Sequence, residues 1–136
     1  MNKQLLVFAF LFLIPLFLFS NNNAELASSA GTMNLDPQSA CGQVPPQHNG
    51  DEVLDAGDVL RFVIHDNSGS TLGNILDGQG SAMEGYGFFP GMVFGTTYYL
   101  SAIAGMDDGT GNVDLTDPEL SVAPGTPIVY LSLIHI

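Results

Sequence analysis

Between residues 58 and 65 the chain reads Asp-Val-Leu-Arg-Phe-Val-Ile-His, and its side chains divide cleanly by a period of two. Leu60, Phe62 and Ile64 fall on one face, and Val59, Arg61, Val63 and His65 on the other, which predicts a strand. A second such segment covers residues 97–104. There Tyr98, Leu100 and Ala102 share one face, Tyr99, Ser101 and Ile103 the other, and the Tyr98 face is predicted to be buried because it stays apolar through Ala104. Shorter strands are expected at 31–35, 40–44, 72–76, 81–89, 120–122 and 126–131. Turn-forming residues separate them: Pro45-Pro46, Asn49-Gly50, Asp66-Asn67-Ser68-Gly69, Asp77-Gly78-Gln79-Gly80 and Pro124-Gly125. No segment sustains a 3.6-residue apolar period, so the chain reads as all-β with about seven short strands.

Residues 88–104 sharpen this. Phe88-Phe89-Pro90-Gly91 ends one strand at a corner, and Tyr98-Tyr99 opens the next. That order matches the corner of an immunoglobulin-like or fibronectin-like antiparallel sandwich, where a Tyr hydroxyl ties down the backbone a few residues upstream. The expected domain runs from 30 to 131.

Ahead of it, residues 1–20 read as a secretory signal, with Lys3 before an apolar run from Leu5 to Phe19, and residues 21–29 as a polar linker. The apolar run is 15 residues and contains Pro15; a membrane span takes about 20. The expectation is a secreted or cell-surface protein, with no membrane insertion after signal cleavage.

Charge narrows the partners. The 136 residues carry 14 acids against two bases, for a net of -12. Without the signal, Arg61 is the sole base and the net becomes -13. Neither nucleic acid nor an anionic lipid surface suits such a chain, because both are held by Lys and Arg. The single Cys41 allows no disulfide within the chain.

Candidate chemistry is sparse. His65-Asp66 with a serine suggests a hydrolase triad, but no Gly-x-Ser-x-Gly turn is present. Cys41, His48 and His65 are zinc-type ligands without a close-spaced pair. The glycines between 73 and 87 lack the Gly-Lys-Ser/Thr ending of a nucleotide cradle. No enzyme is expected. Residues 105–118 hold three Gly and four Asp, and short carboxylates on glycine turns are calcium-type ligands. Asp107, Asp108, Asp114 and Asp117 are therefore the candidate calcium residues, beside the plainer reading of a solvated acidic turn. A second acidic group, Asp51, Glu52, Asp55 and Asp58, would meet them if both loops fall at one end of a sandwich. Phe88, Phe89, Phe94, Tyr98, Tyr99 and Tyr130 read as core and corner packing first, and as a sugar-stacking platform second.

A set of motifs also resembles a known family. Ala30-Gly31-Thr32-Met33, Gly95-Thr96-Thr97-Tyr98-Tyr99, Ser101-Ala102-Ile103-Ala104-Gly105, Asp107-Asp108-Gly109 and Gly111-Asn112-Val113-Asp114-Leu115 are similar to segments of an Ig-like repeat module. So is the ending from Leu120 to Tyr130. The module occurs in very large Bacteroidota cell-surface proteins, gliding-motility-associated or adhesin-like, many of them exported by the type IX system. The resemblance implies a non-catalytic structural or adhesive module, with neighbouring modules of a longer chain and a surface glycan or protein as partners. The competing reading is an accessory carbohydrate-binding module of a secreted polysaccharide-degrading enzyme. The family also implies a bridge from an early Cys, at Cys41, to a late one; here the late position is Glu119. The last residues, 132–136, resemble translated adapter sequence and are expected to be a non-native tail, which would make the chain a piece of a longer one.

Overall fold

The computed structural model describes residues 27–135; the predicted signal and most of the linker, 1–26, lie outside the described residues. Five strands form one mixed sheet: β1 (Gln38–Ala40), β2 (Asp58–His65), β3 (Thr97–Met106), β4 (Ser121–Val122) and β5 (Thr126–Tyr130). The order is β1-β5-β3-β2, with β4 also on β3. β1 runs parallel to β5, and the other pairings are antiparallel. No α-helix occurs among the described residues; a 3-10 turn spans Leu133–His135.

β2 and β3 pair along their whole common length, from Asp58↔Met106 to His65↔Tyr99. Their alternation gives the sheet two different faces. On the inner face Phe62, Ile64, Tyr98, Leu100, Ala102, Ala104, Ile128 and Tyr130 join the main core with Ala30, Met33, Val44, Tyr86 and Met92. The outer face is covered too. Val63 and Ile103 pack with Val113, against which Val59, Leu72, Ile75, Leu120 and Val122 are half-buried. Apolar residues on both faces of β3 thus reflect two coverings, one by a layer of extended chain and one by the 66–76 and 107–120 loops.

The remaining predicted strands correct the sequence reading. Residues 31–35, 72–76 and 81–89 form no ladder, and contribute the single bridges Met33↔His48, His65↔Ile75 and Val44↔Tyr86. The strand expected at 40–44 does not form either: β1 precedes it and shares only Ala40 with it, and Val44 keeps a single bridge. Each of these stretches contains glycine, which weakens a strand, and Pro45 and Pro90, which lack the N–H a ladder needs, follow directly on two of them.

β4 and β5 lie on the same edge of β3 and are one strand interrupted by a bulge. Between Ile103↔Val122 and Leu100↔Thr126, β3 has Ser101 and Ala102, while the facing strand has Ala123, Pro124 and Gly125. One extra residue on one side is the definition of a β-bulge. The Ala123 N–H still donates to the Ala102 carbonyl at 2.9 Å. Gly125 then comes so near β3 that a Cβ there would sit 2.5 Å from Ser101 Oγ.

The predicted corner is a pair of turns. Met92 N–H donates to the Phe89 carbonyl at 3.1 Å and Thr96 N–H to the Val93 carbonyl at 3.2 Å. Gly91 and Gly95, each third in its turn, adopt φ of 99° and 79°, the left-handed region that a type II turn demands there. The Val93 N–H donates to Tyr98 Oη at 2.7 Å, so the tyrosine oxygen anchors the backbone five residues upstream. Tyr98 is buried, as the alternation predicts.

Candidate functional site

Part of the second acidic group, Asp55 and Asp58, meets the first at one end of the sheet, where β2 begins and β3 ends. Asp51 instead accepts the Thr32 N–H and hydroxyl, and Glu52 lies by His48. The Asp107 N–H donates to the Gly57 carbonyl at 3.1 Å, and a small cleft of about 50 Å³ is lined by Asp55, Ala56, Asp58, Met106, Asp117 and Glu119. Asp117 is the only one of the four calcium candidates on that cleft, and both its oxygens already accept backbone donors. Oδ2 takes the Met106 N–H at 2.8 Å and Oδ1 the Glu119 N–H at 2.9 Å. These bonds, Met106 first, hold its carboxyl below the ordinary carboxylate range.

The other three candidates serve their own turns. Asp107 Oδ1 accepts from the N–H groups of Gly109 and Gly111, both at 2.8 Å. Asp108 and Asp114 repeat one device: each carboxylate takes the N–H and the hydroxyl of a threonine two residues on, Thr110 and Thr116. The Thr110 hydroxyl and amide hold Asp108 below its usual range. Asp-x-Thr therefore builds Asx-type turns here. Among the described residues no group of three or more His, Cys, Asp or Glu is arranged to hold a metal ion. The loop gathers negative charge, yet it does not bring Asp107, Asp108, Asp114 and Asp117 together as a ligand set.

One residue outside the sequence reading fixes this loop. Gln79 Nε2 donates to the Val113 carbonyl at 2.8 Å, and Gln79 Oε1 accepts the Val113 N–H at 2.7 Å. The amide side chain thus substitutes for a strand, pinning Val113 over Val63 and Ile103. A glutamine in a Gly-Gln-Gly turn carries no sequence signal for such a role.

The zinc-type residues are dispersed. Cys41 is exposed just beyond β1. His48 donates from Nε2 to the Ala30 carbonyl at 2.8 Å and accepts the Gly50 N–H at Nδ1, 3.0 Å away. Glu52 is 3.7 Å from that Nδ1. Cys41 and Glu119, the pair of positions implied by the family resemblance, lie at opposite ends of the sheet: Ala40 faces Tyr130, while Ser121 faces Ala104. Eight strand steps separate those levels, roughly 25 Å, whereas a disulfide needs Cα atoms within about 7 Å. No bridge between those two positions fits this fold.

His65 and Ser101 do come together. Both are fully buried, with His65 Nε2 2.8 Å from Ser101 Oγ. The polarity is the reverse of a nucleophilic pair. Gly73 N–H donates to His65 Nδ1 at 3.4 Å, so Nδ1 is the acceptor and the Nε2 proton points at Ser101. A general base needs the opposite tautomer, oriented by a carboxylate at Nδ1. Asp66 is occupied elsewhere, accepting from Asn74 N and Nδ2 at 2.8 and 2.7 Å.

The aromatic candidates separate by burial. Tyr98 and Tyr130 are core residues. Phe88 and Phe94 stack on one another at 3.9 Å with planes 8° apart, and are 38% and 47% exposed. They mark the end of the sheet opposite the acidic one. Comparison with protein-family models, curated proteins and solved structures finds no match.

Proposed function

We propose that this chain is a non-catalytic structural and adhesive module of a larger secreted or cell-surface bacterial protein. Its fold on this reading is an Ig-like sandwich, whose second layer is the set of bridged segments Ser29↔Val53, Met33↔His48 and Val44↔Tyr86. The observation that carries the proposal is the path of the chain. Ser28 Oγ accepts the Asp55 N–H at the acidic end, and Ala30 N–H bonds to Ser121 Oγ. The segment then follows β4 and β5, through the Thr126 hydroxyl bond to the Asn34 carbonyl, until Ala40 faces Tyr130. The chain therefore enters at one pole and leaves at the other, about 30 Å away along the ten residues of β3. That is the geometry a module needs to be strung between neighbours of the same longer chain.

The test is recovery of the complete reading frame. Further copies of the 30–131 pattern are expected; a single copy beside a catalytic domain would overturn the structural reading. The exposed Phe88–Phe94 pair supports the second reading, an accessory carbohydrate-binding module. Saturable binding to a surface polysaccharide, lost in Phe94→Ala, would favour it.

A further inference from the structure

His65 sits at the end of β2, fully buried, on the outer face of the sheet. The loop that seals it, residues 66–76, is held by few anchors. Asn74 is bonded to Asp66, Gly73 N–H to His65 Nδ1, and Leu76 N–H to the Ile64 carbonyl at 2.9 Å. Gly73 is required where it stands, since a Cβ there would collide with Asp66 Oδ1 and lie 2.8 Å from Asn67 Cβ. Beneath the loop, Leu72 and Ile75 cover Val63 and Ile103.

Both ring nitrogens of His65 are committed, one as donor and one as acceptor. A second proton would turn Nδ1 into a donor aimed at the Gly73 N–H and would bury an unpaired cation. Both effects are relieved if the loop lifts. The titratable groups facing the ring are Asp66, which follows it in sequence, and Tyr99 of β3, whose ring is 6.2 Å away. Residues 67–76 contain no charged side chain that would compensate the imidazolium.

We propose that residues 66–76 form an acid-released latch: protonation of His65 frees this loop from the outer face of the sheet while the inner core stays folded. Burial pushes the His65 imidazole below its ordinary value, against a smaller opposing effect of the Asp66 charge. The closed state thus prefers the neutral ring. Its advantage is complete above the accessible imidazole's pKa near 6.5 and is lost progressively as pH falls below it.

Amide hydrogen exchange on the full chain at pH 7.5 and 5.5, corrected for the chemical exchange rate, tests the latch. The neutral fraction of an accessible imidazole drops about tenfold over that interval, so protection of Gly73 and Leu76 should fall about tenfold. Any opening that frees His65 gains the same proton, so the urea dependence separates a latch from global unfolding. Local opening exposes little surface and gives a shallow slope. The expected result is that Leu76 is less protected than the amides of β3, responds weakly to urea, and depends on pH. Equal protection and equal urea slopes at Leu76 and β3, or a Leu76 rate unchanged with pH, would overturn the proposal. In His65→Gln the pH dependence of Leu76 should vanish, and its persistence would equally count against the latch. If that variant does not fold, the comparison of Leu76 with β3 in the unaltered chain still decides.

Discussion

Three buried or half-buried tyrosine oxygens tie this small fold together. Tyr130 Oη donates to the Tyr86 carbonyl at 2.7 Å, and Tyr86 Oη donates to the Phe62 carbonyl at 3.0 Å. Burial pushes the Tyr130 phenol up to about 12 and raises that of Tyr86 further, so both remain neutral donors throughout the physiological range. Both carbonyls also accept backbone N–H groups, from Val44 and Gly80, so removing a tyrosine hydroxyl leaves neither orphaned. Tyr98 differs, because its oxygen is the acceptor for the Val93 N–H. Tyr98→Phe should lower stability by about 1 kcal/mol in urea unfolding. The change should fall on the midpoint and leave the slope alone. Tyr99→Phe is expected to be near neutral, since Tyr98 carries the corner bond, and a larger loss at Tyr99 would reassign the corner. This assignment was legible in the sequence from the apolar run of the Tyr98 face. The hydrogen bonds of Tyr86 and Tyr130 were not, because their acceptors lie 24 and 44 residues away.

At the scale of elements, the bulge between β4 and β5 is the most demanding feature. Pro124 has no N–H for the ladder, and Gly125 is pressed against Ser101 Oγ at 2.5 Å, Tyr99 Cβ at 3.0 Å and the Leu100 carbonyl carbon at 3.2 Å, measured from an added Cβ. Gly125→Ala should therefore destabilise by roughly 1–3 kcal/mol through overpacking. It should also disturb the His65 ring, observable as a shifted imidazole resonance, because Ser101 is the partner of His65. A thermal melt that does not move would mean the edge strand yields freely. The sequence predicted β2 with its observed bounds and β3 to within two residues, because each carries its own alternation over eight residues or more. Around the bulge it offered only Pro124-Gly125 as a turn, and the continuity of the strand across it was hidden. The segments reduced to single bridges are set by what they pack against, and local pattern says little about that. The same limit governed the acidic loop. Its Asp-x-Thr turns were readable as turns, but the convergence of Asp55, Asp58, Asp117 and Glu119 on one cleft depends on β2 beginning at the level where β3 ends.

For the whole molecule, the distribution of charge matters more than any single acid. Negative side chains crowd one pole, while no charged residue lies between 85 and 106 or after 119. Millimolar calcium and millimolar magnesium should raise the melting temperature by similar amounts, because screening and loose counter-ion binding relieve the repulsion of the acidic pole. Melts at matched ionic strength, with a chelator control, check this. A calcium-selective shift abolished in an Asp114→Asn/Asp117→Asn variant would show instead that the loop rearranges into a true ligand set.

The pole-to-pole course of the chain has a mechanical consequence. Residues 28–40 run in the same direction as residues 121–130 and lie beside them, so tension applied at the two ends pulls these segments past each other lengthwise. The β1–β5 bonds that join Gln38–Ala40 to Ile128–Tyr130 then carry load side by side and must fail nearly together, as in a lap joint. A hairpin pulled open from its free ends would lose its bonds one at a time. This arrangement lets a sheet of modest size resist stretching along its long axis while remaining easy to peel from the side.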